Sequence, residues 1–95
     1  MLTSKQRAYL RGKANVIPPI TQIGKDGISP SFISQVESAI RVRELIKLHV
    51  LQNSGYTARD ACNEICAAVN AEPVQVIGNM LVIFRKKDKD SAFDL

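Results

Sequence analysis

The stretch Gly24-Lys25-Asp26-Gly27 concentrates the chemistry available to this 95-residue chain. Two glycines three positions apart let a backbone approach a ligand without Cβ atoms in the way. Lys25 adds a mobile positive charge between them. Ser29-Pro30 follows closely, and Ser before Pro is a good N-cap and first-turn pair for a helix. A helix starting there aims its positive end and its unsatisfied N–H groups at the loop, which favours an anion. Asp26 works against this, because a carboxylate among anion-holding groups is repulsive unless it points outward or caps an N–H. The ligand that suits the arrangement is a phosphate.

Other reactive residues assemble less well. A Walker-type loop needs GK[ST] after a longer glycine spacing, and Gly24-Lys25-Asp26 lacks both, so nucleotide hydrolysis is disfavoured. His49 stands among apolar residues without a Ser or Cys partner in sequence. Asp60 and Glu64 are spaced i, i+4 like a carboxylate pair, but Asp60 suits a helix start and Glu64 suits solvent. Cys62 and Cys66 are the only cysteines and His49 the only histidine, too few for a four-ligand zinc site of Cys and His. A disulfide between them would close a very short loop and restrain little, so both read as small hydrophobes. Tyr9, Tyr56, Phe32 and Phe84 are too scattered for a base-stacking platform, and Phe32 and Phe84 are expected in the core. No catalytic set and no cofactor site emerges, so an enzyme is the least supported class.

Charge supports the loop. The net charge is +4 and the pI near 9.3, but the distribution is more telling. Before Asp26 come Lys5, Arg7, Arg11, Lys13 and Lys25, and no acidic residue. A second basic group, Arg85, Lys86, Lys87 and Lys89, is diluted by Asp88, Asp90 and Asp94. One-sided charge of this kind suits a phosphate backbone, and GxxG loops clamp nucleic-acid backbone in KH domains. The expected binding residues are Gly24, Lys25, Asp26 and Gly27, with Lys5, Arg7, Arg11 and Lys13 on a first helix and Arg85 and Lys86 near the end.

The elements that must position these residues are legible. Thr3 with Gln6 makes a capping box for a helix to about Lys13 or Ala14, with Tyr9 and Leu10 as a modest docking side. Pro18-Pro19 ends it. Ile20–Ile23 reads as a short strand, and Phe32, Ile33, Val36 and Ile40 give a second helix to about Val42. From Glu44 to Leu51 the period becomes two: Ile46, Leu48 and Val50 share one face of a strand. Thr57 caps a third helix with Ala58, Ala61, Cys62, Ile65 and Val69 on one side. The runs Val74–Ile77 and Met80–Phe84 flank Gly78-Asn79, a hairpin signal. The order α-β-α-β-α-β-β predicts an α/β (α+β) single two-layer domain with a four-stranded mixed sheet over residues 1–86, then a polar, flexible tail at 87–95. The 45% apolar content is too high for a disordered chain. No apolar run approaches the roughly 20 residues of a membrane span, and no secretory h-region opens the chain. The expected location is the cytoplasm.

Leu2-Thr3-Ser4-Lys5-Gln6-Arg7 with Leu10-Arg11, then Ile23-Gly24-Lys25-Asp26-Gly27-Ile28-Ser29, Glu44-Leu45-Ile46-Lys47 and Val74-Gln75-Val76-Ile77-Gly78 together resemble the CRM domain of bacterial YhbY-like RNA-binding proteins and their plant organellar relatives. The likeness covers about residues 2 to 86. It implies a fold similar to the C-terminal domain of translation initiation factor three. It also implies association with large-subunit precursors and binding through the GxxG loop and basic surface. The expected function is non-enzymatic binding of RNA, ribosomal RNA or pre-large-subunit particles, with low sequence specificity. The rival is an adaptor that docks a ribosomal protein or assembly factor. No membrane, small-molecule or cofactor partner is expected.

Overall fold

The computed structural model describes residues 2–93 and residue 95. Its elements are α1 (Ser4–Ala14), β1 (Thr21–Ile23), α2 (Pro30–Arg43), β2 (Leu45–Val50), a 3-10 turn at Gln52–Ser54, α3 (Ala58–Val69), β3 (Glu72–Ile77) and β4 (Met80–Phe84). Each helix begins where its side-chain cap dictates. The Thr3 hydroxyl accepts from the Gln6 amide at 3.1 Å while the Gln6 side chain accepts from the Thr3 amide at 2.9 Å. Ser29 and Thr57 accept from the amides of Phe32 and Asp60, both at 3.1 Å. Such caps contribute about 1 kcal/mol each by satisfying donors that the helix leaves open.

The strands form one sheet in the order β1-β2-β4-β3. β1 and β2 are parallel, as a crossover through α2 requires, and the other pairs are antiparallel. Pro73 has no N–H to donate, and it sits in edge strand β3 beside a register shift between Pro73 and Gln75. Gly78, at φ +55, makes the two-residue turn between Ile77 and Met80.

Alternation along β2 and β4 sends side chains to two cores. Ile46, Leu48, Val50, Leu81 and Ile83 meet α2 and α3 through Val36, Ile40, Ala61, Cys62 and Ile65, all buried. Leu45, Val82 and Phe84 point the other way, with Val74, and meet Leu10 and Ala14 of α1. The sheet with α2 and α3 is the two-layer body; α1 adds a partial third layer on the opposite face. A sheet built of Leu, Val, Ile and Phe on both sides has two apolar faces to bury, and burying each large aliphatic side chain is worth about 1.5–3 kcal/mol. Docking of α1 uses Leu10 and Ala14, one turn apart. Tyr9 remains 44% exposed, with the Lys13 ammonium 5.5 Å from its ring centre.

The residues after β4 differ from a free polar tail. Phe93 meets Phe84 edge to face at 5.3 Å, and Leu95 joins the α1 core. Asp94, counted above among the diluting acids, lies outside the described residues. What holds this segment is Glu44, which is only 1% exposed. Its carboxylate accepts from the Lys87 amide at 3.1 Å, the Ser91 hydroxyl at 2.5 Å and the Ala92 amide at 2.8 Å.

Candidate nucleic-acid interface

Gly24 leaves the end of β1 and Ser29 caps α2, so the loop between them is short and tightly turned. The Gly27 amide donates to the Gly24 carbonyl at 2.9 Å, closing a β-turn with Lys25 and Asp26 at its exposed tip. The two glycines are not equivalent. Gly27 has φ +66, and a Cβ there would stand 3.3 Å from the Tyr56 ring. At Gly24 a Cβ would meet only Leu51, at an ordinary 3.9 Å. The fold therefore demands glycine at 27, while at 24 its value lies in leaving the outer side open to a ligand.

A polar recess of about 230 Å³ lies against the loop, lined by Lys25, Ser29, Ser31 and Gln35 among others. The helix start offers less than expected. Pro30 has no N–H, Ser29 occupies the Phe32 amide, and the Ile33 amide donates to the Ser29 carbonyl. That leaves the amide of Ser31 at most. Anion-holding capacity here rests on the tip of the turn and on Lys25, which has no acidic partner among the described residues. Asp26 is exposed and also lines the recess, so its carboxylate opposes an anion there as its type predicts.

The basic residues of α1 do not extend this recess. They sit on the helix that covers the far side of the sheet, the side away from α2. Lys5, Arg11 and Lys13 are exposed there, and the Arg7 Nε donates to the Pro73 carbonyl at 3.2 Å. Sequence order placed them upstream of the loop, but α1 crosses behind the sheet before the chain enters β1.

A larger basic groove opens at the other end of α2. It has a volume of about 720 Å³ and is lined by Arg41, Arg85, Lys86, Lys87 and Lys89, with Asp88 as the opposing charge. Arg85, expected to bind RNA, is already engaged: its guanidinium forks onto the Glu37 carboxylate at 2.6 and 2.9 Å and donates to the Val69 carbonyl at 2.7 Å. This pairing holds Glu37 below the usual carboxylate range, against a smaller opposing effect of burial. Arg85 thus serves the fold, while Arg41, whose Nε is 4.0 Å from Glu37, stays 69% exposed and faces the groove. Lys86 is exposed beside it, its Nζ donating to the Leu95 carbonyl at 2.7 Å. Sequence reading missed Arg41 because only the fold brings α2's last turn beside the residues after β4.

Remaining candidates stay apart. Cys62 is buried and Cys66 half-buried in α3, and Cys62 together with burial pushes the Cys66 thiol up, away from reactivity. Asp60 and Glu64 are exposed, and Glu64 accepts from the Tyr56 hydroxyl at 3.4 Å. Among the described residues no group of three His, Cys, Asp or Glu could hold a metal ion.

Comparison with known proteins places the fold in a family. The chain is 37% identical to the probable RNA-binding protein YqeI of Bacillus subtilis, over all of this chain and 99% of that one. It is 31% identical to an RNA-binding protein of Haemophilus influenzae, over 93% of this chain and 89% of that one. The solution structure of the hypothetical protein SAV1595 from Staphylococcus aureus shares 44% identity and a TM-score of 0.84, covering all of this chain and 99% of the other. The family model for the CRS1/YhbY (CRM) domain matches residues 2–85, nearly the whole sheet-and-helix body just described, and the chain belongs to that family.

Proposed function

We propose that this protein is a non-enzymatic binder of RNA that holds ribosomal RNA or large-subunit precursors during ribosome assembly, with the Gly24–Gly27 turn as its primary contact. The observation that carries this reading is the exposed loop tip: Lys25 stands exposed beside a polar recess, and Gly24 keeps its outer side free of a side chain that the fold would tolerate. RNA backbone supplies the phosphates such a tip attracts. The names of the relatives support RNA as the ligand, and the family resemblance supports a ribosomal source. Lys5, Arg11 and Lys13 form a separate basic surface behind the sheet, able to meet a second part of a folded RNA that wraps the domain.

Contacts to phosphate carry no base code, so specificity should follow RNA shape, and affinity should fall steeply with salt. A fluorescence titration with a structured ribosomal RNA fragment tests this. Lys25→Ala and Gly24→Ala should each weaken binding, and Lys25→Ala should lower the slope of log K against log salt by about 0.7–0.9, one phosphate contact. Binding indifferent to salt and to both substitutions would overturn the assignment of the loop.

A further inference from the structure

Helix α2 joins the loop recess to the basic groove. Ser31 and Gln35 line the first, and Ile40 and Arg41 line the second. At 1.5 Å per residue, Ser31 and Arg41 stand about 15 Å apart along the helix axis. Between them the exposed face of α2 carries Ser31, Ser34, Gln35, Ser38 and Arg41, which fall on one side of a helix by their spacing. That face holds no carboxylate. The helix's one acid, Glu37, lies beside it and is neutralised by Arg85 and Arg41. Between the two sites a polyanion can therefore follow the helix without meeting an unpaired carboxylate; the acids it meets are Asp26 at the recess and Asp88 at the groove, each beside a lysine.

The groove itself exists only because the segment after β4 is folded back. Glu44 ends α2 at φ +66 and ψ −46, a strained combination for any residue but glycine. It is held there from three sides: its own amide donates to Ile40, its carbonyl accepts from Arg85 at 2.9 Å, and its buried carboxylate gathers Lys87, Ser91 and Ala92. Those bonds fix the path of the residues that contribute Lys86, Lys87 and Lys89 to the groove wall.

We infer that α2 is a track for a single RNA strand, clamped at one end by the Gly24–Gly27 turn and at the other by the Arg41–Lys86–Lys87–Lys89 groove, and that the buried Glu44 assembles the second clamp by latching the chain's last segment. This rests on the loop-binding reading above. RNA is the occupant because the groove offers several separated cations to a repeating phosphate, with hydrogen-bonding serines and a glutamine along the track.

Fluorescein-labelled single-stranded RNAs of about four nucleotides, the length a GxxG loop clamps, and about twelve nucleotides separate the two clamps. Wild type should bind the longer RNA much more tightly, because the second clamp acts at high effective concentration. Lys87→Ala with Lys89→Ala should remove at least about tenfold of that gain and leave the short RNA unaffected. Glu44→Gln raises the formal net charge above +4, so simple electrostatics predicts tighter binding. The latch predicts weaker binding of the longer RNA only. Ser91→Ala, which removes one donor and leaves the carboxylate, should lose affinity in the same direction by less, and it decides the matter should Glu44→Gln not fold. Equal or tighter binding of the longer RNA by Ser91→Ala and Glu44→Gln, or no effect of the lysine changes, overturns the inference. So does a polyglutamate peptide that binds with Lys87 and Lys89 dependence while RNA ignores them, since the groove would then serve an acidic protein. If wild type binds neither RNA, the loop reading falls as well; if Lys25→Ala alone weakens both RNAs, only the second clamp falls.

Discussion

The two ends of α2 are built by opposite means. At its start, the hydrogen bonds of Ser29 and Gly27 reach residues within a few positions of themselves, and the outcome is an open turn whose tip makes no bond among the described residues. At its end, Glu44 acts on residues more than forty positions away and is almost wholly buried. An end made by local contacts stays accessible, because short-range bonds need no covering layer. An end made by long-range contacts is closed by the chain it captures. The first is suited to meeting a ligand, the second to deciding where charged residues stand.

The largest effect should come from breaking the closed end. Glu44→Ala strands the Lys87 and Ala92 amides and the Ser91 hydroxyl, and should cost about 3 kcal/mol in urea unfolding, since each donor left unsatisfied costs about 1–3 kcal/mol and some regain water. Glu44→Gly removes the same bonds but relieves the positive φ, so it should come out about 1 kcal/mol more stable than Glu44→Ala. The reverse order would show that the backbone there is not strained.

Acid should loosen the same end first. Burial pushes the Glu44 carboxyl up, but bonds from Ser91, Ala92 and Lys87 outweigh it and hold it below its ordinary 4.5. Glu37 is lowered from the same value by Arg85. Carboxylates lowered in the folded state contribute stability that is complete above the unfolded value and is lost as pH falls through the folded one. Stability should be flat above about pH 5 and fall below about pH 4.5. Amide exchange followed by NMR should show residues 87–92 losing protection before the strands do, and Glu44→Gln should flatten the acid limb.

Gly27→Ala tests the open end. Its positive φ and the 3.3 Å approach to Tyr56 should make it about 1–2 kcal/mol destabilising. Gly24→Ala should change stability least, within about 0.5 kcal/mol, while still weakening RNA binding. A stability loss at Gly24 as large as that at Gly27 would mean that both glycines serve the fold, removing the sharpest evidence for a ligand at the loop.

Much of the open end was legible beforehand because its signals are local. Thr3 with Gln6, Ser29-Pro30, Thr57 and Gly78-Asn79 each specify a cap or turn with residues already beside them in the chain. Period two at Ile46, Leu48 and Val50 named the face that meets α2 and α3. The cover on the other face was not read: a two-layer domain was expected, and Leu45 and Phe84 pack there against Leu10 and Ala14 of α1.

By itself, then, the sequence determined the elements, their caps and the glycine turn, which follow from neighbours within about one helical turn or one strand period, and the family resemblance, which follows from the order of such local motifs along the chain. Only the tertiary structure decided which charges share a surface. It sent the basic residues of α1 behind the sheet, absorbed Arg85 into a pair with Glu37, and brought Arg41 beside Lys86, Lys87 and Lys89. The physical reason is that a charge's partners are chosen by where apolar faces pack. Leu10 and Ala14 carry α1 to the far face, and Phe93 against Phe84, with Glu44 beneath, carries the last segment back to α2. Those contacts span most of the chain, so no window of sequence contains them.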